Sequence, residues 1–169
     1  LENDDKQYTY YQMIYNAVKY GHVHILNYMN EKKILSITTQ HANFAIQYDR
    51  YKVLKWLAEK NIFPTMAGIA NLFYQSKLKL FIYLCSLTTI YNDVAYANKA
   101  CMYGRLKFCI FIYNKYGILP NVIGANNAAR CGHIHILKWL KNFGIEADSH
   151  GAEKTATHGK YKSILWLEK

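Results

Sequence analysis

Proline is nearly missing from this chain, with two residues in 169, and glycine is sparse at nine. That excludes a collagen-like tract, a proline-rich linker and a long disordered tail. Long apolar runs are missing too. Segments such as Phe108–Tyr113 fall far short of the ~20 residues a membrane span needs, so no membrane contact is expected. No basic-then-apolar leader opens the sequence, and because residue 1 is Leu the natural start is expected to lie upstream. The four cysteines, Cys85, Cys101, Cys109 and Cys131, form no C-x-x-C pair, which favours a reduced intracellular setting over a disulfide framework. Acidic residues number 11 against 21 Lys and Arg, a net charge of +10 that invites an acidic partner. Lys, Asn, Ile and Tyr all abound, as AT-rich coding produces, which hints at a large DNA virus or a protist.

What the chain does have is a repeat, the first thing to seek because missing it miscalls the fold. Asn127–Leu140 reads NAARCGHIHILKWL, and Asn16–Met29 reads NAVKYGHVHILNYM. Anchoring on the residue before the His gives Gly21, Asp49, Ser76, Gly104, Gly132 and Gly159, with spacings of 28, 27, 28, 28 and 27. Apolar residues stand seven, four and three places before the anchor, such as Ile14, Ala17 and Val18, or Ala125, Ala128 and Ala129. These spacings define one face of a helix. The anchor is a turn, where Gly tolerates the left-handed conformation that ends a helix. A second helix follows, apolar at anchor plus two, four, five, seven and eight. Position plus seven is aromatic in every copy: Tyr28, Trp56, Tyr83, Phe111, Trp139 and Trp166. Plus eight holds Met29, Leu57, Leu84, Ile112, Leu140 and Leu167. Both columns are expected in the core between repeats, Trp139 included. Pro64 and Pro120 share one position, at or just before the start of the next first helix.

The segment Ala128–Gly144, with its AARCGHIHILKWLKNFG sequence, resembles the two-helix signature of the ankyrin repeat. The resemblance runs roughly from Met13 to Leu167 and is weakest in the third copy. It departs from the family in two ways. The period is 27 or 28 residues rather than 33, and the T-P-L-H opening is replaced by Ile123, Gly124, Ala125 and Asn126 in copy five. The β-hairpin fingers are therefore expected to be short loops. The abbreviated, tryptophan-rich repeats of large DNA viruses are similar. The resemblance implies an all-α solenoid of about six stacked repeats, occupying 1–169 as a single domain. The last copy, ending Ile164-Leu165-Trp166-Leu167, is as apolar as an internal one, so a longer array or a covering partner is expected. Also implied are a protein–protein interaction scaffold and contact through the concave surface built by the first helices. Candidates there are Tyr15, Asn43, Asn98, Lys99, Asn126 and Asn127. The expected setting is the cytoplasm, that of an infected host cell included, or a virion.

Signs of chemistry are few. There is no G-x-G-x-x-G, no phosphate-binding loop and no G-x-S-x-G, and no carboxylate pair is placed for acid–base work. The expectation is no enzyme, no small-molecule substrate and no cofactor. His22/His24 and His133/His135 diverge by ~200° on a helix, so no metal site is expected. The first His of each pair is expected to hold the turn by hydrogen bonds to nearby backbone. One pattern stands out. Positions plus one and plus three hold only Lys, Arg or His, among them Arg50, Lys52, Lys77, Lys79, Arg105, Lys107, Lys160 and Lys162. Helices packed ~10 Å apart would align them as a stripe along one edge, where the histidines would charge near pH 6. Against the scaffold reading stands polyanion binding, to an acidic protein or nucleic acid, through that stripe. It lacks interleaved exposed aromatics and a cluster of Arg.

Overall fold

The computed structural model describes residues 2–34, 36–88 and 91–167; Leu1 and the side chain of Leu167 lie outside the described residues. Twelve helices and no strand occur among them. In chain order they are α1 (Glu2–Tyr20), α2 (Val23–Glu31), α3 (Thr39–Gln47), α4 (Tyr51–Ala58), α5 (Met66–Tyr74) and α6 (Leu78–Leu87). Then follow α7 (Val94–Met102), α8 (Leu106–Tyr116), α9 (Val122–Cys131), α10 (Ile134–Lys141), α11 (Ser149–Thr157) and α12 (Tyr161–Leu167). Odd-numbered helices are the first helices of the six copies and even-numbered ones the second. The first helix begins at Glu2, well before Met13 where the resemblance starts, because residues 2–12 hold no Gly or Pro to stop it.

All six anchors are left-handed: Gly21, Asp49, Ser76, Gly104, Gly132 and Gly159 have φ between 56° and 83°. The turn that follows is the same at Gly21, Asp49, Gly104, Gly132 and Gly159. The N–H just past the anchor donates to the carbonyl four residues before it, as in His22 N to Ala17 O (2.8 Å), Arg50 N to Ala45 O (2.8 Å) and His133 N to Ala128 O (2.8 Å). This is the Schellman pattern, which satisfies the carbonyls a helix end leaves unpaired. A second left-handed residue closes the second helix in four copies, at Lys33, Asn61, Gly117 and Gly144. Pro64 and Pro120 precede Thr65 and Asn121, which open α5 and α9.

The chain divides into two compact units, Leu1–Leu72 with Lys79–Thr88, and Phe73–Leu78 with Thr89–Lys169. The division runs through the third copy, the weakest in sequence. In the first unit α1 packs on α2 and α3, and α4 on α2 and α3. In the second, α9 packs between α7 and α11, with α10 and α12 against it. The positions seven, four and three before the anchor are buried in the first five copies, from Ile14 to Ala129. Small side chains there, chiefly Ala, let first helices approach closely.

In the second helices, plus eight is buried from Met29 to Leu140, and so is plus five from Leu26 to Leu137. The aromatic column at plus seven departs from expectation. Trp56 is buried at 7% exposure, but Tyr28 is 55% exposed, and Tyr83, Phe111, Trp139 and Trp166 are half-buried. The helical wheel explains this. At 100° per residue, plus seven lies roughly 100° from the centre of the face formed by plus four, five and eight, so it sits on the rim. Rim rings are completed by local partners. Trp56 Nε1 donates to Asn27 Oδ1 at 2.5 Å, and Trp139 lies 5.2 Å from Phe143 and 6.5 Å from Tyr113.

Candidate binding surface

The basic column at plus one turns out to be structural mortar. Arg50 Nε donates to Lys19 O at 2.6 Å. Arg105 reaches two carbonyls, Phe73 O (2.5 Å) and Tyr74 O (2.6 Å). His133 Nε2 donates to Met102 O at 3.1 Å, a carbonyl being able only to accept. In each case the acceptor lies at the end of the preceding copy's first helix, where carbonyls are unpaired and the helix dipole favours a cation. This interaction counters the unfavourable placement of a cation before its own second helix. Lys160 lays its aliphatic stem against Gly132, and Lys77 is half-buried. His22 has a different environment, its ring stacked on Tyr20 at 6.1 Å.

The plus-three residues behave otherwise. His24, Lys52, Lys79, Lys107, His135 and Lys162 are all exposed, since plus three lies nearly opposite the buried face. His135 adds a bond to Gly104 O at 3.2 Å. Aromatic rings do stand on this edge, contrary to expectation: Tyr20 is 57% and Tyr51 is 40% exposed. In the first unit they line a groove of about 270 Å³ with Gly21, Asp49, Arg50 and Lys52. The sequence pattern concealed Tyr20 because it belongs to the first helix, one residue before the turn. No three His, Cys, Asp or Glu stand close enough to hold a metal among the described residues. The ring centroids of His133 and His135 are 5.9 Å apart.

The first-helix asparagines Asn43, Asn98 and Asn126 are hydrogen-bonded to the next copy. Asn98 is only 7% exposed, whereas it was expected on an open surface. Its Oδ1 accepts from Asn121 N (3.1 Å) and its Nδ2 donates to Asn121 Oδ1 (2.9 Å). Asn126 makes the same pair with Asp148, at 3.0 and 2.9 Å. Asn43 accepts from Thr65 N at 3.0 Å and donates to Thr65 Oγ1 at 3.1 Å. Each carboxamide clamps the residue that opens the next first helix, satisfying a backbone N–H there. Three residues beyond each clamped residue stands a glycine: Gly68, Gly124 and Gly151. A Cβ on Gly124 would lie 2.6 Å from Asn98 Oδ1 and 2.7 Å from Pro120 Cβ, and Cβ atoms on Gly68 and Gly151 would run into Asn43 and Asn126. Where Tyr15 replaces the Asn, a local device takes over, and Thr38 N donates to His41 Nδ1 at 3.0 Å. The recurrent Asn six before the anchor, matched to a Gly 25 or 26 residues on, was the signal in the sequence.

The remaining candidates lie on the first helices. Tyr15 packs edge-on to Phe44 at 5.2 Å and shares a 2.6 Å hydroxyl–hydroxyl bond with Tyr48, which raises its pKa above the ordinary phenol value. Lys19 Nζ lies within 6 Å of the Tyr15, Tyr20 and Tyr48 rings. In the second unit Lys99 and Asn127 are half-exposed at equivalent positions of α7 and α9. Asn127 lines a groove of about 180 Å³ with Asn126, Arg130, His150, Gly151 and Lys154. Arg130, His150 and Lys154 were not anticipated. Their signal is weak, three bases spread over two helices and joined only by packing. Cys101 and Cys109 are fully buried with sulfurs 3.7 Å apart, and that contact together with burial pushes the Cys101 thiol upward, away from reactivity.

No protein-family model and no curated protein matches this chain. No helix is long and apolar enough to cross a membrane among the described residues.

Proposed function

We propose that the chain is a non-enzymatic protein–protein interaction scaffold built of ankyrin-like repeats. The observation carrying this reading is the division of labour among its polar side chains. Asn43, Asn98 and Asn126, together with Arg50, Arg105 and His133, hold successive copies together, while Asn127, Arg130 and Lys154 stand on the first helices of the second unit around an open groove. A repeat fold that buries its core between copies offers extended surfaces rather than an enclosed reaction site. Function resides in such sites and not in the fold. A photo-crosslinking residue at Asn127, compared with one at Lys138 on the exposed side of α10, tests the reading in cells that express the chain. One reproducible protein adduct from position 127, lost at 138, is the expected result. Adducts from 138 alone would refute it.

Polyanion binding is the second reading, favoured by one observation. Tyr20 and Tyr51 flank Arg50 and Lys52 in the first-unit groove, which joins stacking surfaces to charge.

A further inference from the structure

We propose that the groove between α9 and α11 is a carboxylate-binding subsite, and that it takes an acidic peptide segment of a protein partner. The proposal rests on the scaffold reading and adds the chemistry of what docks. Its lining is one-sided in charge. Arg130 comes from the last turn of α9, and His150 and Lys154 come from α11. No carboxylate belongs to the lining. The nearest acids in sequence are Glu153, exposed beside Lys154, and the exposed Asp148. Asp148 accepts from Gly151 N and Asn126 Nδ2, both at 2.9 Å, and these bonds hold its carboxyl below the usual carboxylate range. The charge of His150 lowers it further, and neither acid lines the groove, whose Arg130 lies on α9.

Arg130 is half-buried and its Nη2 donates to Asn127 Oδ1 at 3.4 Å, which steadies the guanidinium at the groove wall. A planar guanidinium presents paired N–H groups that match the two oxygens of a carboxylate. Lys154 supplies a second charge from the opposite wall, and the Asn127 amide a further donor. A volume of about 180 Å³ accommodates an acidic side chain without demanding that the helices part. No Phe, Tyr or Trp lines the groove, so an oligonucleotide would find charge there but only the His150 imidazole on which to stack a base. Lys99, at the position of α7 equivalent to Asn127, extends the basic character along the same helix layer toward a second acidic residue.

The test titrates the isotopically labelled full chain by NMR with a short Glu/Asp-rich peptide and with its Gln/Asn counterpart. The acidic peptide is expected to shift the amides of Arg130 and of His150 to Lys154 first, and the neutral one to leave them in place. Arg130→Gln with Lys154→Gln should weaken binding at least tenfold. The control Lys55→Gln with Lys138→Gln, at two exposed sites outside both grooves, removes the same charge and should change it less than twofold. Circular dichroism confirms that each variant folds. Equal weakening by both pairs, shifts spread over every lysine, or no binding at all would overturn the subsite. So would a short oligo-dT that shifts the same amides at lower concentration than the peptide. A crosslinked partner at Asn127 whose contacting segment carries no acid would sink this proposal and leave the scaffold reading standing.

Discussion

His133 shows what a turn residue meets once neighbouring copies pack. Burial pushes its pKa below the usual imidazole value; the bond to Met102 O pulls the other way, and the charges of His135, Arg105 and Lys160 push it down further. His41 is lowered too, by burial against the opposing effect of the Thr38 backbone. The unfolded imidazole titrates near 6.5. Above that value both states are neutral and the folded state keeps its full advantage. As pH falls through about 6.5 toward the lower folded value, the unfolded chain takes up protons first and stability is lost. Urea midpoints should therefore fall between about pH 7.5 and pH 5.5, and fall less in a His41→Gln, His133→Gln variant. A midpoint that stays flat in the unmodified chain would contradict the burial of both rings. The same argument revises the expectation that all four paired histidines charge together near pH 6: His133 resists protonation.

At the scale of helices, the asparagine clamp couples a residue in one copy to the conformational freedom of the next. Gly68 lies inside α5, where Ala is ordinarily preferred by up to ~1 kcal/mol. Here the added Cβ would collide with the Asn43 carboxamide, so Gly68→Ala should destabilise by about 1–3 kcal/mol. Asn43→Ala alone should cost about 0.5–1.5 kcal/mol, because the exposed Thr65 N exchanges its acceptor for water. In that background the nearest remaining neighbour of the new Cβ is Pro64 Cβ at 3.4 Å, an ordinary contact, so Gly68→Ala should become neutral or stabilising. Denaturation of the four proteins measures this coupling. Simple additivity of the two losses would show that the clamp does not control the glycine. The rim tryptophans belong to this scale as well. Trp139 is half-buried among Tyr113 and Phe143, so its truncation should cost less than that of a fully enclosed aromatic.

For the whole chain the governing quantity is a net charge of +10. The exposed plus-three row carries four of those charges, at Lys52, Lys79, Lys107 and Lys162. Reversing all four to Glu changes charge by two units at each site and takes the net from +10 to +2. The helices should survive, since a carboxylate in a first turn is favoured by ~0.3–1 kcal/mol. If the tyrosine-lined edge binds polyanions, oligo-dT binding by the unmodified chain should fall steeply between about 50 and 200 mM salt, and the variant should lose it. Retained affinity in the variant would reduce the row to a solvated face coloured by composition.

The period, the helix pairs and the turn anchors were determined by the sequence alone, because each depends on residues within one or two helical turns of one another. The left-handed φ at Gly21, Gly104, Gly132 and Gly159 is local chemistry, and Asp49 and Ser76 adopt it at the same register. Burial at plus eight and exposure at plus three likewise follow from a 3.6-residue period. The partners of polar side chains were decided only by tertiary structure. Asn98 looks like a surface residue until Asn121, 23 positions on, is brought against it. Arg105 and His133 look like a charged stripe until the ends of preceding helices arrive 31 or 32 residues away. A hydrogen bond needs its acceptor within about 3 Å, and no periodicity in a single helix specifies which of its polar groups the next one will meet.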